Sequence, residues 1–346
     1  MRKAFRLALG SALVLGVTFG CAPRLMATGD PVYAPRIESQ NVVTSDGARL
    51  PLRVWPAANP KAVIIGVHGF NDYSNAFDMP GRWFPEHGIS VYAFDQRGFG
   101  RAPGRGLWAG DARMADDLDA VVALVRQENP NVPVYLLGES MGGGVVMRAF
   151  GLPNPPKVDG VILAAPAVWG WREMNAFYDV VLWSSAHMVP EMTVTGRGLN
   201  IRPSDNIEML RALGRDPLVI KETQIGTIYG LVTLMDEAAV ASTRINVPVL
   251  LLYGAHDQIV PELPVAHTLA DMQAAHVNVS TACYANGYHM LLRDLQREVV
   301  WKDIASWIED PDAPFASGAG NLRPCAEIAS VGEARQARSG ASSPVP

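Results

Sequence analysis

Leu136-Leu137-Gly138-Glu139-Ser140-Met141-Gly142-Gly143 ends an apolar run in a single serine set among glycines. The run Val132 to Leu137 has the unbroken apolar character of a strand buried on both faces. Gly143 to Phe150 reads as the start of a helix. Strand, tight turn and helix in that order form the context of a G-x-S-x-G elbow, which holds a nucleophile on a strained bend. The glycines have a steric reason there, because a sharp bend and a close helix–strand approach leave no room for side chains. The helix start also places a partial positive charge near the Ser140 oxygen. Taken alone, the five residues can equally be a plain turn, so the rest of the chain has to decide.

Outward from this stretch, strands and helices alternate. Ala62 to Val67, Ile89 to Phe94, Val158 to Ala164 and Val247 to Tyr253 are further apolar runs, and Val277 to Tyr284 is a weaker one. Asp111 to Glu128 carries apolar residues at helical spacing and stops at Asn129-Pro130. Leu295 to Ile308 is the closing helix. The alternation predicts a doubly wound, mainly parallel α/β sheet, with sites beyond the carboxyl ends of its strands. Before it, Val42-Val43-Thr44 and Leu50 to Trp55 flank Ser45-Asp46-Gly47-Ala48, a hairpin signature.

One region breaks the pattern. Residues 168–245 lack a strong strand and hold Trp169, Trp171, Phe177, Tyr178, Trp183, Met188 and Met192 among helical segments. This reads as a helical cap inserted between core residues 37–167 and 246–311. Residues 312–346 are rich in Ala, Ser, Gly and Pro and are expected to be a disordered tail. Arg2, Lys3 and Arg6 precede an apolar stretch that ends near Gly20, which makes residues 1–20 a signal peptide. Thr18-Phe19-Gly20-Cys21 resembles a bacterial lipoprotein site, with Cys21 lipidated and residues 21–36 a Pro-rich tether. Ordinary cleavage after Ala27, giving a secreted soluble protein, and an uncleaved anchor are the other readings. The two principal readings both export the chain, to a lipid-anchored or periplasmic location. Export permits a disulfide between Cys283 and Cys325; alternatively Cys283 is a small buried residue and Cys325 is free.

Of 346 residues, 49% are hydrophobic, enough for a sizeable core. The net charge of −5 without a long basic run argues against nucleic-acid binding. No H-E-x-x-H or C-x-x-C occurs, and no Gly-rich phosphate loop, so neither a metal nor a cofactor is expected.

A serine hydroxyl needs a base to become a nucleophile. With this elbow the order along the chain is Ser, then Asp or Glu, then His. His289, in Gly287-Tyr288-His289 after the last strand, fits the base. Asp257 follows the strong strand Val247 to Tyr253 and fits the acid that orients it, or else a turn aspartate. His256 is the alternative base; His87, His187, His267 and His276 read as surface or core residues. Asp95 precedes Ser140, the wrong order, so it and Arg97 read as loop structure. An oxyanion would be met by the N–H of Met141 and by that of Phe70, in Val67-His68-Gly69-Phe70-Asn71. His68 supports that loop.

His68 to Ser74, Asp95-Gln96-Arg97-Gly98-Phe99-Gly100, Gly138 to Gly143, Gly254 to Asp257 and Gly287-Tyr288-His289 together resemble the monoacylglycerol-lipase and lysophospholipase group of α/β hydrolases. The resemblance covers about residues 37–310. It implies an eight-stranded sheet, a cap after the sixth strand, and ester hydrolysis through an acyl-enzyme. Two positions depart from that group, which often has His where Tyr73 and Glu139 stand. The expected activity is hydrolysis of a monoacylglycerol, lysophospholipid or similar lipophilic ester. Trp169, Phe177, Trp183 and Met188 of the cap are the candidates for binding it, although each can also simply pack the cap onto the core. An amidase or peptidase with the same triad, or a non-catalytic scaffold, are the alternatives.

Overall fold

The computed structural model of the chain describes residue 23 and residues 25–331; the apolar leader and Cys21 lie outside them. The chain begins with an antiparallel meander, β1 (Arg36–Glu38), β2 (Asn41–Val43) and β3 (Arg49–Trp55). The β2–β3 turn is the predicted one, with Gly47 at φ 80° and the Thr44 hydroxyl donating to Asp46 at 2.6 Å. Buried Arg97 clamps it by donating to both oxygens of Asp46 at 2.7 Å, and on its other side to Asp117. These bonds hold the Asp46 carboxyl well below the usual carboxylate range. Arg97 is thus a structural tie.

From there strand and helix alternate: β4 (Ala62–Val67), α1 (Asp78–Trp83), β5 (Ile89–Phe94), α2 (Asp111–Glu128), β6 (Val134–Glu139), α3 (Met141–Ala149) and β7 (Gly160–Ala164). Between β7 and the next sheet strand lie α4 (Ala176–Met188), β8 (Thr193–Val194), α5 (Ile207–Arg215), β9 (Thr223–Gln224) and α6 (Ile225–Ser242). The β8–β9 pair is a small ribbon that the helical reading of this segment did not include. The core resumes with β10 (Val249–Gly254), α7 (Glu262–Ala274), β11 (Val279–Tyr284) and α8 (Arg297–Glu309).

The main sheet runs β1-β2-β3-β5-β4-β6-β7-β10-β11, and the last six are mutually parallel. Every residue of β4, β5, β6 and β10 is buried, as a sheet covered on both faces requires. Alternate residues feed two cores: Val63, Ile65 and Val67 face one, and Ala62 and Ile64 face the other. The sheet has nine strands, eight as the resemblance implies plus the three-residue β1 at its edge. The order reverses at β4, which lies between β5 and β6. Sites in such sheets form at that switch point, and the loops after β4 and β6 meet there.

Two boundaries differ from expectation. Residues 312–331 are ordered rather than disordered. Cys325 is bonded to Cys283, the Cys283 N–H donates to Ala319 at 2.8 Å, and Cys325 and Ile328 are fully buried. The tail thereby covers the free edge of β11, which few large apolar residues could have announced. Nor is the whole of 21–36 a free tether: Met26 N–H bonds to Trp108 at 2.8 Å, and Tyr33 N–H to Ser45 at 2.8 Å.

Candidate active site

Ser140 sits between the last residue of β6 and the first of α3 at φ 54°, ψ −120°. A non-glycine residue held there stores about 1–3 kcal/mol of backbone strain. Its backbone is fixed on both sides, the N–H donating to Ala164 at 2.9 Å and the carbonyl accepting from Ala167 at 3.0 Å. Glycine is compulsory around it. A Cβ on Gly142 would lie 1.9 Å from the Val67 carbonyl oxygen, and one on Gly138 2.6 Å from that of Gly142. The N–H of Met141 belongs to the first turn of α3, where amides have no intrahelical acceptor.

Asp257 and His289 lie beyond the carboxyl ends of β10 and β11. Two glycines let their loops touch: a Cβ on Gly254 would be 2.5 Å from the Tyr288 carbonyl oxygen, and one on Gly287 3.0 Å from the Gly254 Cα. His289 Nδ1 meets Asp257 Oδ2 at 2.8 Å, with the acid side chain wholly buried. Asp257 Oδ1 accepts from the N–H of Ile259 at 2.7 Å and of Val260 at 3.0 Å. A carboxylate so occupied leaves Nδ1 as the donor and the ring's lone pair on Nε2. Burial alone would lower the His289 pKa, but the charge and hydrogen bond of Asp257, with the charge of Glu139, outweigh it and raise it. His256 is exposed and its ring lies against Tyr288, 5.3 Å between centroids. The acid therefore serves His289.

The loop after β4 lies against the nucleophile, since a Cβ on Gly69 would be 3.4 Å from that of Ser140. His68 braces it from beneath. Its Nδ1–H donates to the Gly69 carbonyl at 2.8 Å and its Nε2 accepts from the Gln96 N–H at 3.0 Å, while burial lowers its pKa and keeps it neutral. Gln96 also donates through its side chain to the His68 carbonyl at 2.8 Å. Asp95 accepts from the N–H groups of Ser74 and Arg101, both at 2.9 Å. Phe70 packs edge-on against Phe99, 5.7 Å between centroids.

Sequence reasoning passed over a buried ion cluster beside these loops. Arg293 donates to Asp72 at 2.7 Å and to Glu139 at 2.8 Å. Glu139 was visible as an unusual residue inside the elbow motif; Asp72 and Arg293 carried no local signal.

The cap offers a cleft of about 620 Å³ lined by Trp171, Asp179, Val180, Trp183 and Tyr229. Of the four candidate binding residues of the cap, Trp183 is the one that lines it. Phe177 and Met188 instead stand 72% and 74% exposed, and Trp169 is partly exposed. Helix α4 is apolar on nearly all sides while burying only Ala186, so most of its apolar residues are left outside.

The family model for serine aminopeptidase, S33, matches residues 58–296. The chain is 28% identical over 297 residues to the monoglyceride lipase of Mus musculus, covering 84% of this chain and 96% of that one. It is 26% identical over 265 residues to the monoacylglycerol lipase of Mycolicibacterium smegmatis, covering 76% and 93%. Among solved structures, the monoacylglycerol lipase of Paleococcus ferrophilus superposes with a TM-score of 0.62 at 22% identity, over 75% of this chain and 98% of that one.

Proposed function

The chain belongs to the serine aminopeptidase S33 family, within the monoacylglycerol-lipase-like α/β hydrolases, and from that premise we propose that it is a serine hydrolase of monoacylglycerols and similar lipophilic carboxylic esters. Ser140 Oγ attacks the ester carbonyl as His289 Nε2 takes its proton. Asp257 holds the imidazole in the required tautomer and offsets the charge it gains. The N–H groups of Met141 and Phe70 receive the oxyanion, a role in which one donor is typically worth about 10²–10³ in kcat. His289 then protonates the departing alcohol, and water releases the acyl group from Ser140 by the same relay. The observation that carries this reading is the 2.8 Å contact between His289 and the wholly buried Asp257 carboxylate, together with the strained backbone of Ser140 at the elbow.

The aromatic cap cleft supports a long acyl chain as the recognised group. Each buried CH₂ contributes about 0.8 kcal/mol, or roughly fourfold. A series of p-nitrophenyl esters and monoacylglycerols of rising chain length tests this, with fluorophosphonate labelling of wild type and Ser140→Ala. Turnover should rise with chain length and vanish with labelling in Ser140→Ala. Retained turnover in that variant, or faster cleavage of the matching anilides than of the esters, would overturn the reading.

Export and attachment to a bacterial membrane through a lipid on Cys21 belong to the same proposal. The Cys283–Cys325 bridge supports an oxidising compartment, and the exposed apolar face of α4 suits work beside lipid. The intact mass of the mature N-terminus, with Cys21→Ser as control, tests it. An unmodified N-terminus in the soluble fraction would count against an anchor.

A further inference from the structure

The residue before the nucleophile is a buried glutamate, Glu139, and its partner Arg293 lies 154 positions away in sequence. Arg293 is itself buried and bonds through its other terminal nitrogen to buried Asp72, 221 positions away. Each of the three belongs to a different part of the machinery. Asp72 is two residues past Phe70 in the loop after β4, Glu139 adjoins Ser140, and Arg293 is four residues past His289.

Stability is a weak account of this cluster. Removing charges from water costs several kcal/mol each, and a well-packed apolar trio is often as stable or more so. Glu139 Oε1 and Arg293 Nε have no hydrogen-bond partner among the described residues. What the arrangement does supply is register: one planar guanidinium fork spans two carboxylates at fixed angles.

We propose that Arg293 is a positioning residue that locks the oxyanion loop, the nucleophile elbow and the histidine loop into one geometry, with the Glu139 carboxylate it holds adding a second negative charge to the surroundings of His289. The proposal rests on the reading of Ser140, Asp257 and His289 as the triad. The charges that act on the imidazole are those of Asp257, Glu139 and Arg293, and of these Asp257 is the one in hydrogen-bond contact with it. Those facing Glu139 are Arg293, Asp72 and His289. The charges of Asp95, Asp72 and Arg293 act on His68, and Asp294 is held by the Ser204 hydroxyl and the Tyr288 N–H. Because the Glu139 charge favours the imidazolium, its removal should make His289 a weaker base.

The test compares kcat, KM and pH–rate profiles of wild type, Glu139→Gln, Arg293→Met and the double variant on one soluble ester. Displacing a catalytic group by about 1 Å can cost about 10²-fold. Arg293→Met should therefore lose roughly that much in kcat with KM changed by less than about threefold. Glu139→Gln still offers Arg293 an acceptor, so its loss of kcat should be smaller than that of Arg293→Met, while the acid limb of its profile moves to lower pH. The double variant should be no worse than Arg293→Met, as expected of residues that act as a unit. An Arg293→Met protein with near-parental kcat, or a Glu139→Gln limb that coincides with the parent's, would overturn the proposal. If Arg293→Met does not fold, the Glu139→Gln limb decides. Ser140→Ala separates the two readings: activity surviving in it sinks the triad, whereas a dead Ser140→Ala beside a fully active Arg293→Met sinks only the clamp.

Discussion

The Asp257 carboxylate lies between two sets of donors, His289 Nδ1 at 2.8 Å on one oxygen and the N–H groups of Ile259 and Val260 on the other. The backbone donors make Asp257 both a loop cap and the partner of His289, so the turn and the catalytic reading of this residue are compatible. In Asp257→Asn the amide oxygen can keep the backbone bonds while its NH₂ group faces Nδ1. The imidazole is then driven to the wrong tautomer. We expect kcat to fall about 10⁴-fold with the melting temperature little changed, as read by ester turnover and circular dichroism. A loss below tenfold would contradict the assigned role.

Activity and stability should respond to pH in opposite directions. Burial opposes the charge on His289, but Asp257 and Glu139 outweigh it, so its folded pKa lies above 6.5. The base must be neutral to act, so kcat/KM should fall as pH drops through that raised value. The folded state, however, binds this proton more tightly than the unfolded chain does. Its contribution to stability is complete below 6.5 and is lost as pH rises through the folded pKa. Asp294, pushed up to about 6 by burial, has the same sign. A folded state that holds its proton more tightly gains stability as pH falls through about 6. Lowering pH from 8 toward 5.5 should silence the enzyme while the melting temperature holds or rises. Parallel loss of both would point to unfolding instead.

Much of this molecule was legible because its signals are local. The span of α2, the strands β4 and β5, and the Asp46-Gly47 hairpin turn all follow from short-range pattern. So does the elbow around Ser140, since strand, glycine and helix signals sit side by side. What escaped was non-local or unpatterned. The strand β1, Arg36-Ile37-Glu38, has one apolar residue and exists through its pairing with β2. The ordered tail depends on a bond to Cys283, 42 residues back. The Glu139–Arg293–Asp72 cluster joins charges that share no sequence neighbourhood. In α4 apolar residues occur on nearly every side, so periodicity could not say which of Phe177, Trp183 and Met188 would line a cleft.

The glycines of Gly142-Gly143-Gly144 should tolerate substitution very unequally. A Cβ on Gly142 would strike the Val67 carbonyl at 1.9 Å, backbone that cannot retreat without moving the loop against Ser140. A Cβ on Gly144 would make ordinary contact, 3.4 Å from the Ala167 carbonyl oxygen. Gly144→Ala should keep activity and gain up to about 1 kcal/mol, the usual Gly-to-Ala difference inside a helix. Gly142→Ala should lose soluble yield and activity together. Thermal melts of the two variants test the contrast, and equal behaviour would mean that the elbow is looser than these distances say.

The tail bridge should carry a measurable share of stability. Cys325 and Ile328 are fully buried, the Ile328 N–H donates to Glu262 at the start of α7, and the Cys283 N–H donates to Ala319. The tail therefore closes the β11 edge of the sheet, and His289 follows β11 directly. A disulfide typically contributes about 2–4 kcal/mol, mainly by restricting the unfolded chain. Its loss should lower the melting temperature by roughly 3–6 °C in a protein of this size. Melting with and without dithiothreitol measures this, with Cys325→Ser as the control that should melt early and ignore the reductant. Limited proteolysis of the reduced protein should then cut first within residues 312–331. Melting curves that superpose with and without reductant would show that packing alone holds the tail.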